Sequence, residues 1–325
     1  AEIRSLTVGV VPASGGVGVI EIDGKRLQLT VAAGDDQDDV ATALAVAINA
    51  YQDAFTRSAL PFTAAVDGVT TNQVNLTARN AGAIYAGVDI HVPTLAGGNL
   101  FAGLVVAATT TAGAGDPDLS AALAALGDDP FDWVVSPFAD AANMVLYRNW
   151  ASDVSGRWAW FRQVYGHVFT TKTGTTGELT TFGESYDTRH ITVLPRITAA
   201  GNPDSPWRFA AAMAPRIVPW LSDGATGNVS RNQTGLVVEG IGAPRDRTKW
   251  FNDYASRDAF LGSGLSTWTV QGDGEVAIDK IITMQRTDGA GNVDTTFRDI
   301  QKIGQLVYAL RRFRARLQAE HGQKA

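Results

Sequence analysis

Residues 112–140 read AGAGDPDLSAALAALGDDPFDWVVSPFAD, and this stretch decides the fold class. Its glycines and first proline favour a turn, after which Asp118 or Ser120 can cap a short helix that ends at Gly127. A compact apolar strand follows at residues 131–135 and is stopped by a Ser-Pro pair. A capped helix that leads into a buried strand is half of an α/β unit, so we expect this alternation to continue.

The downstream sequence repeats the alternation as far as residue 243. Asp140 can cap a helix, and Pro206 can open a longer one whose apolar residues recur at helical spacing. The other predicted elements are strands at residues 166–171 and 190–194 and a short helix at residues 178–186. Strands separated by helices usually pair in parallel, so we predict a central, mostly parallel sheet flanked by helices over residues 112–243.

The first 111 residues are rich in glycine, valine, threonine and alanine and predict a small α+β domain. Residues 20–31 alternate as a hairpin around an Asp-Gly turn, and a helix with a 3.6-residue apolar period runs from Val40 to Tyr51. The other predicted strands contain Val8 and Val10 or span residues 62–66, 74–78, 88–92 and 104–108.

Four aspartates lie between residues 35 and 39, at the start of that helix. They could indicate a calcium loop, but an EF-hand needs a glycine at its sixth position and a late glutamate, and neither is in place. The positive end of the helix dipole favours negative charge at this position. We therefore interpret these aspartates as part of the start of the helix.

The last segment, residues 244–325, predicts a C-terminal α+β domain that ends in a long amphipathic helix. A helix at residues 249–261 precedes a hairpin of strands at 266–270 and 276–284, and the final helix spans residues 295–320. Its apolar positions, which share one arc, are Ile300, Ile303, Leu306, Val307, Leu310, Phe313 and Leu317. The basic residues on the opposite side are Arg298, Lys302, Arg312 and Arg316.

Composition and charge limit the classes of function. The chain has 325 residues, 45% of them hydrophobic and 18% charged, which is typical of two or three folded domains. A formal charge of −6 gives no reason to expect nucleic acid as a partner. Residues 296–325 carry +5, which suggests head-to-tail self-association or an acidic partner, although a solvated helix face is a simpler alternative. No apolar run is long enough for direct membrane insertion.

The sequence offers no assembled catalytic, cofactor or metal site. It contains no cysteine, and His167 and His190 lie in predicted strands, where a structural role is the simpler interpretation. The segment around Ser185 begins like a nucleophile elbow but lacks the second glycine and lies in a predicted helix. Neither a P-loop nor a dinucleotide-binding motif is present.

The tryptophans have two interpretations. Trp133, Trp207, Trp220 and Trp268 occupy apolar positions of predicted elements and are expected in the core. Trp150, Trp158 and Trp160 surround a polar loop, where a subunit contact is conceivable but a core position is favoured.

Several long segments resemble the contractile tail sheath proteins of Mu-like phages, in the same order along the chain. They are AAGDDQDDVATALAVAINA (residues 32–50), GDPDLSAALAALGDDPFDWVVSPFAD (115–140), GHVFTTKTGTTGELTTFG (166–183) and SRDAFLGSGLSTWTVQGDGEVAIDKIITMQRTDGAGNVDTTFRDI (256–300). The resemblance implies a small inserted domain (1–111), a central sheath domain with a subtilisin-like layout but no catalytic triad (112–243), and a C-terminal sheath domain (244–325).

The resemblance also implies a structural role without a cofactor. Sheath subunits stack as hexameric rings around a tail tube and contract to drive the tube through the host envelope. The implied partners are neighbouring subunits, the tail tube protein, the baseplate and the tail terminator, with assembly in the host cytoplasm and a final place in the virion tail. Family members join neighbours through terminal arms that add strands to a sheet. Because one or both arms look absent here, we expect the chain to fold without polymerising.

For the contact with the tube, we select the basic residues of the last helix, because an acidic tube surface would attract them. Two alternatives remain. An α/β hydrolase-like enzyme would need a His–acid–Ser arrangement that the histidine positions do not offer. A surface or receptor-binding module would predict β-structure throughout, whereas helices are predicted after residue 115.

Overall fold

The computed structural model describes residues 1–107, 109–198, 201–221 and 232–322. The chain divides into two compact units. The first unit contains Ala1–Pro117 with Ala199–Ser205, and the second contains Asp118–Thr198 with Pro206–Ala325. The division into domains at residues 1–111, 112–243 and 244–325 stays a prediction.

The first unit is an α+β structure. In its described residues, the elements are β1 (Ile3–Thr7), β2 (Gly16–Ile22), β3 (Lys25–Val31), α1 (Gln37–Ala50), β4 (Phe62–Val66), β5 (Gln73–Ala78), β6 (Ile90–His91) and β7 (Val105–Val106). They form two antiparallel sheets, ordered β4-β5-β1-β7 and β3-β2-β6. The strand expected around Val8 and Val10 is wrong, because β1 ends at Thr7 and the chain then turns through Pro12 and Gly15.

Local side-chain and turn chemistry explains the best-predicted elements of this unit. The β2–β3 hairpin is confirmed, and Asp23 and Gly24 both have positive φ (55° and 65°), as a tight two-residue turn requires. Helix α1 is confirmed as well. Asp36 caps it by accepting from the backbone N–H groups of Asp38 and Asp39, which agrees with the interpretation of these acids as part of the helix start.

The second unit is mixed α/β. Its described elements are α2 (Ser120–Ala125), β8 (Trp133–Val135), α3 (Ala141–Trp150), β9 (His167–Gly174), α4 (Thr176–Glu184), β10 (Ile191–Ile197), α5 (Pro206–Leu221), β11 (Leu236–Val237), α6 (Tyr254–Gly262), β12 (Thr267–Val270), β13 (Val276–Lys280) and α7 (Ile300–His321). Strands β8, β9 and β10 pair in parallel in the order β10-β9-β8. Strands β11, β13 and β12 form a separate antiparallel sheet.

The mixed α/β character of the chain is therefore confirmed, but parallel pairing does not dominate it. Among the described residues, three of the four sheets are antiparallel, and short connections join the β2–β3, β4–β5 and β12–β13 hairpins within them. Within the same residues, only in the β8–β9–β10 sheet does a helix connect each pair of neighbouring strands. The parallel sheet has only three strands, so the expected layout of a central, mostly parallel sheet flanked by helices is not confirmed.

Two helices of the second unit begin later than predicted. Helix α6 begins at Tyr254, capped by Asp253, instead of at residue 249. Helix α7 begins at Ile300, capped by Asp299, instead of at residue 295. In the second case the preceding backbone has another partner, since the carbonyl of Arg298 accepts from the N–H of Thr283.

One hydrophobic core fills the second unit, from Leu123 to Val307. Trp268 is its largest fully buried side chain, and its ring packs edge-on against Phe209 and Phe251. Its indole N–H donates to the carbonyl of Pro195 at 2.7 Å. Trp268 is thus a core residue, as expected, whereas the side chain of Trp220 lies outside the described part of the structure.

Two glycines of α4 provide a matched test of this packing. A Cβ at buried Gly183 would lie 2.4 Å from the carbonyl oxygen of Ser263, whereas a Cβ at Gly177 would meet nothing within 4 Å. We expect Gly183→Ala to lower the free energy of unfolding by about 1–3 kcal/mol through overpacking. Gly177→Ala should raise it by about 0.5–1 kcal/mol. Urea denaturation measures both, and equal effects would contradict this account of the contact between α4 and α6.

Candidate functional site

The end of α7 is the candidate site, because the helix extends past the part that packs on the core. Ile300, Ile303 and Val307 are buried, as predicted. Phe313 and Leu317 belong to the same predicted apolar arc, but they are 64% and 43% exposed. The apolar arc therefore continues beyond the buried part of the helix, because the covering part of the unit ends near residue 311.

Arg311 anchors the helix where its exposed part begins. Its guanidinium pairs with the Asp132 carboxylate at 2.5 Å and donates to the carbonyl of Val164 at 3.2 Å. It also lies 5.8 Å from the ring centroid of Tyr165. From Arg312 to Gly322 every residue is exposed, a length of about 16 Å for a helix.

The four basic residues selected from the sequence do not form one continuous surface. Arg298 precedes the helix, is half-buried, and donates to the carbonyl of Leu261. Lys302 is exposed in the first turn of α7. Arg312 and Arg316 lie on the exposed end, about 15 Å and about 21 Å along the helix from Lys302. The structure therefore brings only Arg312 and Arg316 together.

The guanidinium groups on the exposed end make only weak contacts within the chain. Arg312 stacks on the ring of Tyr308, 5.7 Å from its centroid, and Arg316 pairs with Glu320 at 2.8 Å. Exposed i,i+4 pairs of this kind contribute about 0.3–0.5 kcal/mol, so both guanidinium groups are available to a partner at small cost. The surface can therefore attract anions.

A groove of about 330 Å³ lies between α7 and β8 at the base of the exposed end. Trp133, Val307 and Tyr308 line it, and the Arg311–Asp132 pair closes one side. Trp133 is half-buried here, so its expected core position holds only in part.

A second candidate feature is the loop between α3 and β9. Trp158 is buried and donates to the carbonyl of Gly166, but Trp160 is 80% exposed and Phe161 is 59% exposed. The core interpretation is therefore confirmed for Trp158 and wrong for Trp160. The sequence contained one signal, the cluster of tryptophans around a polar loop, which also fits a subunit contact.

His167 makes a structural contact inside the second unit. His167 is buried, and its Nε2 lies 2.8 Å from the hydroxyl of Thr192. Burial, followed by the nearby His190, lowers the pKa of His167 to about 3. The hydroxyl of Ser185 donates to the carbonyl of Thr181 within α4, so it is not paired with an imidazole.

His190 is one of the residues that line a polar cavity of about 570 Å³. His190 Nε2 lies 3.2 Å from Asp153, which also pairs with Arg189 at 2.6 Å. Burial raises the pKa of Asp153, but the interactions with His190 and Arg189 outweigh it and hold that pKa at about 2. The Asp153 carboxylate in this cavity thus already has two protein partners, Arg189 and His190.

Two further searches cover the described residues only. Within them, no three histidine, aspartate or glutamate side chains are grouped in a way that could hold a metal ion. No helix in the same residues is both long enough and apolar enough to cross a bilayer.

Comparisons with known proteins point to one family. The pattern described as "Phage tail sheath protein central domain" matches residues 112–284. The Mu-like prophage FluMu tail sheath protein of Haemophilus influenzae is 29% identical over 297 residues, which cover 91% of this chain and 56% of the relative. A crystal structure of a sheath tail protein from Desulfitobacterium hafniense has a TM-score of 0.41 and 13% identity, and covers 98% of this chain and 65% of that one. The chain thus spans about half the length of its curated relative.

Proposed function

The chain belongs to the phage tail sheath protein family, and we propose that it is a structural subunit of a contractile tail sheath. The observation that carries the proposal is the family match at residues 112–284, which covers more than half of the chain. The exposed end of α7 supports it, because uncovered apolar and charged side chains lie together there, as a surface for protein contact requires.

In this proposal, copies of the protein stack as hexameric rings around a tail tube in the virion tail, after assembly in the host cytoplasm. The lattice is bistable and contracts from an extended to a tighter state without nucleotide hydrolysis. The baseplate and the tail terminator lie at the two ends of the polymer. The parallel β8–β9–β10 sheet, with helices between its strands, supports a subtilisin-like layout of the central domain.

Electron microscopy of the protein expressed from its complete gene tests the proposal. We expect rings or tubes, and tubes with a filled centre when the tail tube protein is expressed with it. If the protein remains monomeric at every concentration, alone and with the tube protein, the sheath proposal is overturned and a binding module becomes the better hypothesis.

The tube contact is proposed for Arg312 and Arg316, while Arg298 and Lys302 lie apart from them and contribute only as separate positive charges. Charge reversal by Arg312→Glu with Arg316→Glu should reduce the fraction of sheathed tubes by about tenfold, because like charges then face each other across the interface. The matched control is Arg148→Glu with Arg247→Glu, which changes the net charge equally at exposed positions elsewhere in the unit. Equal sheathing by the two double variants would remove the tube contact from this helix.

A further inference from the structure

The exposed aromatic pair lies at the tip of the loop at residues 151–166. The rings of Trp160 and Phe161 meet edge to face, with centroids 5.9 Å apart. Tryptophan is seldom so exposed, and it is among the residues that contribute most to binding when a partner covers it. We call Trp160 and Phe161 the aromatic platform.

The platform is held on a rigid support. Arg157 is completely buried and donates to the carbonyls of Tyr165 and Gly127, each at 2.6 Å. Gln163 and Tyr165 have positive φ (52° and 64°), a conformation that persists only when surrounding contacts impose it. Because the loop is already ordered, a partner that docks on it loses little conformational entropy.

The exposed end of α7 presents a second uncovered apolar surface. Phe313 and Leu317 are four residues apart and therefore lie on one face, next to half-buried Leu310. We call these three residues the apolar stripe. Its centre is about 110° around the helix from Arg312 and Arg316, so the stripe and the proposed tube contact are different faces.

The two surfaces carry complementary charges. Beside the platform, Asp128 is paired with Arg162, while Asp129 is exposed and makes no ion pair among the described residues. Beside the stripe, Arg314 is exposed and has neither a hydrogen bond nor an ion pair in the same part of the chain. Contact between the two surfaces would give Asp129 and Arg314 a partner of opposite sign.

We propose that the aromatic platform of one copy receives the apolar stripe of a second copy. The proposal rests on the self-assembly in the proposed function and specifies a contact for it. The two surfaces do not cover each other within one copy. Arg311 binds the carbonyl of Val164 and so fixes the base of the exposed end near the loop, but the platform and the stripe both remain exposed. A contact between two different surfaces is heterologous, so it repeats from copy to copy and builds a polymer.

Single-cysteine cross-linking tests the contact, since these 325 residues contain no cysteine. Pro130→Cys labels the edge of the platform, and His321→Cys labels the turn beyond the stripe. With a short bis-maleimide, the mixture of the two variants should give about tenfold more cross-linked dimer than either variant alone, because only the mixture places two thiols at one contact. A mixture of Pro130→Cys with Val69→Cys, a position that is also exposed but lies in the first unit, is the background control.

Further substitutions in the Pro130→Cys and His321→Cys variants identify which surfaces make the contact. Adding Trp160→Ser or Phe313→Ser should lower the dimer yield about tenfold, whereas Tyr254→Ser, an equally exposed aromatic position, should leave it unchanged. Asp129→Arg should also lower the yield, and Arg314→Asp on the other copy should restore it. The contact is overturned if the yield of cross-linked dimer is the same with and without Trp160→Ser, or if it equals the yield of the background control. If rings and tubes still form in that case, the sheath proposal stands and only this contact is lost.

Discussion

Replacing Arg157 with methionine should lower the free energy of unfolding by about 3–5 kcal/mol, because charged hydrogen bonds contribute about 1.5–3 kcal/mol each and several are lost together. The guanidinium is completely buried and donates to the carbonyls of Tyr165, Gly127 and Asp129. It also stacks on the ring of Trp150, 4.8 Å from the centroid. Methionine retains most of the volume but leaves these carbonyls without donors. Urea denaturation followed by tryptophan fluorescence measures the loss.

Two other variants separate this effect from a general loss of charge. Arg157→Lys keeps a positive charge but not the planar fork of donors, so we expect an intermediate loss of about 2 kcal/mol. Arg162→Met removes the exposed pair with Asp128 in the same loop and should cost less than about 1 kcal/mol. Similar losses for Arg157→Met and Arg162→Met would contradict the central role of Arg157.

The buried guanidinium also explains how the loop keeps its unusual backbone. The carbonyl of Arg157 accepts from the N–H groups of Val164 and Tyr165, so main chain and side chain bind the same returning segment. These contacts hold Gln163 and Tyr165 at positive φ. Loss of Arg157 should therefore disorder the aromatic platform as well as destabilise the unit, and the dimer cross-link should fall with it.

Sequence signals predicted the elements whose ends depend on neighbouring residues. Asp140 caps α3 by accepting from the N–H groups of Ala142 and Asn143, both at 3.1 Å. The Asp-Gly turn of the first hairpin needs only two residues with positive φ. Contacts of this kind lie within four residues of the chain, so a pattern in the sequence contains them.

Contacts between distant residues decided the elements that the sequence missed. Helical periodicity continues through residues 295–299, but the carbonyl of Arg298 pairs with Thr283 and keeps this backbone out of the helix. Strand β11 has two residues, too few to form a pattern. The direction of strand pairing depends on how the connections pack, so the mixture of parallel and antiparallel sheets was not readable from alternation alone.

The candidate site shows the same limit. Periodicity identifies the apolar face of α7, and it is equally regular at Val307, which is buried, and at Phe313, which is exposed. A sequence pattern reports which face is apolar but not where the covering structure ends. Similarly, Trp158 and Trp160 have the same residue type and nearly the same position, and only the fold separates the buried ring from the exposed one.

The stability of the second unit should fall as the pH decreases below about 6.5, because His167 is buried as a neutral imidazole. Burial lowers the pKa of His167 to about 3, whereas the unfolded chain binds the proton at its ordinary value of about 6.5. The unfolded state therefore holds one more proton between these values. Each pH unit in this window costs about 1.4 kcal/mol, and the loss approaches about 4 kcal/mol near pH 3.

Urea denaturation between pH 7 and 4.5 isolates this effect, since the pKa of Asp153 lies at about 2 and that carboxylate stays charged over the range. His167→Gln removes the titrating group while retaining a partner for Thr192. The slope of its unfolding free energy against pH should therefore be smaller than that of the natural protein by about 1.4 kcal/mol per pH unit, which corresponds to one proton. Thr192→Val is the control, because it removes the hydrogen bond and leaves the imidazole buried. It should lower stability by a similar amount at every pH. Parallel curves for the natural protein and His167→Gln would show that the buried imidazole does not control the acid sensitivity of this unit.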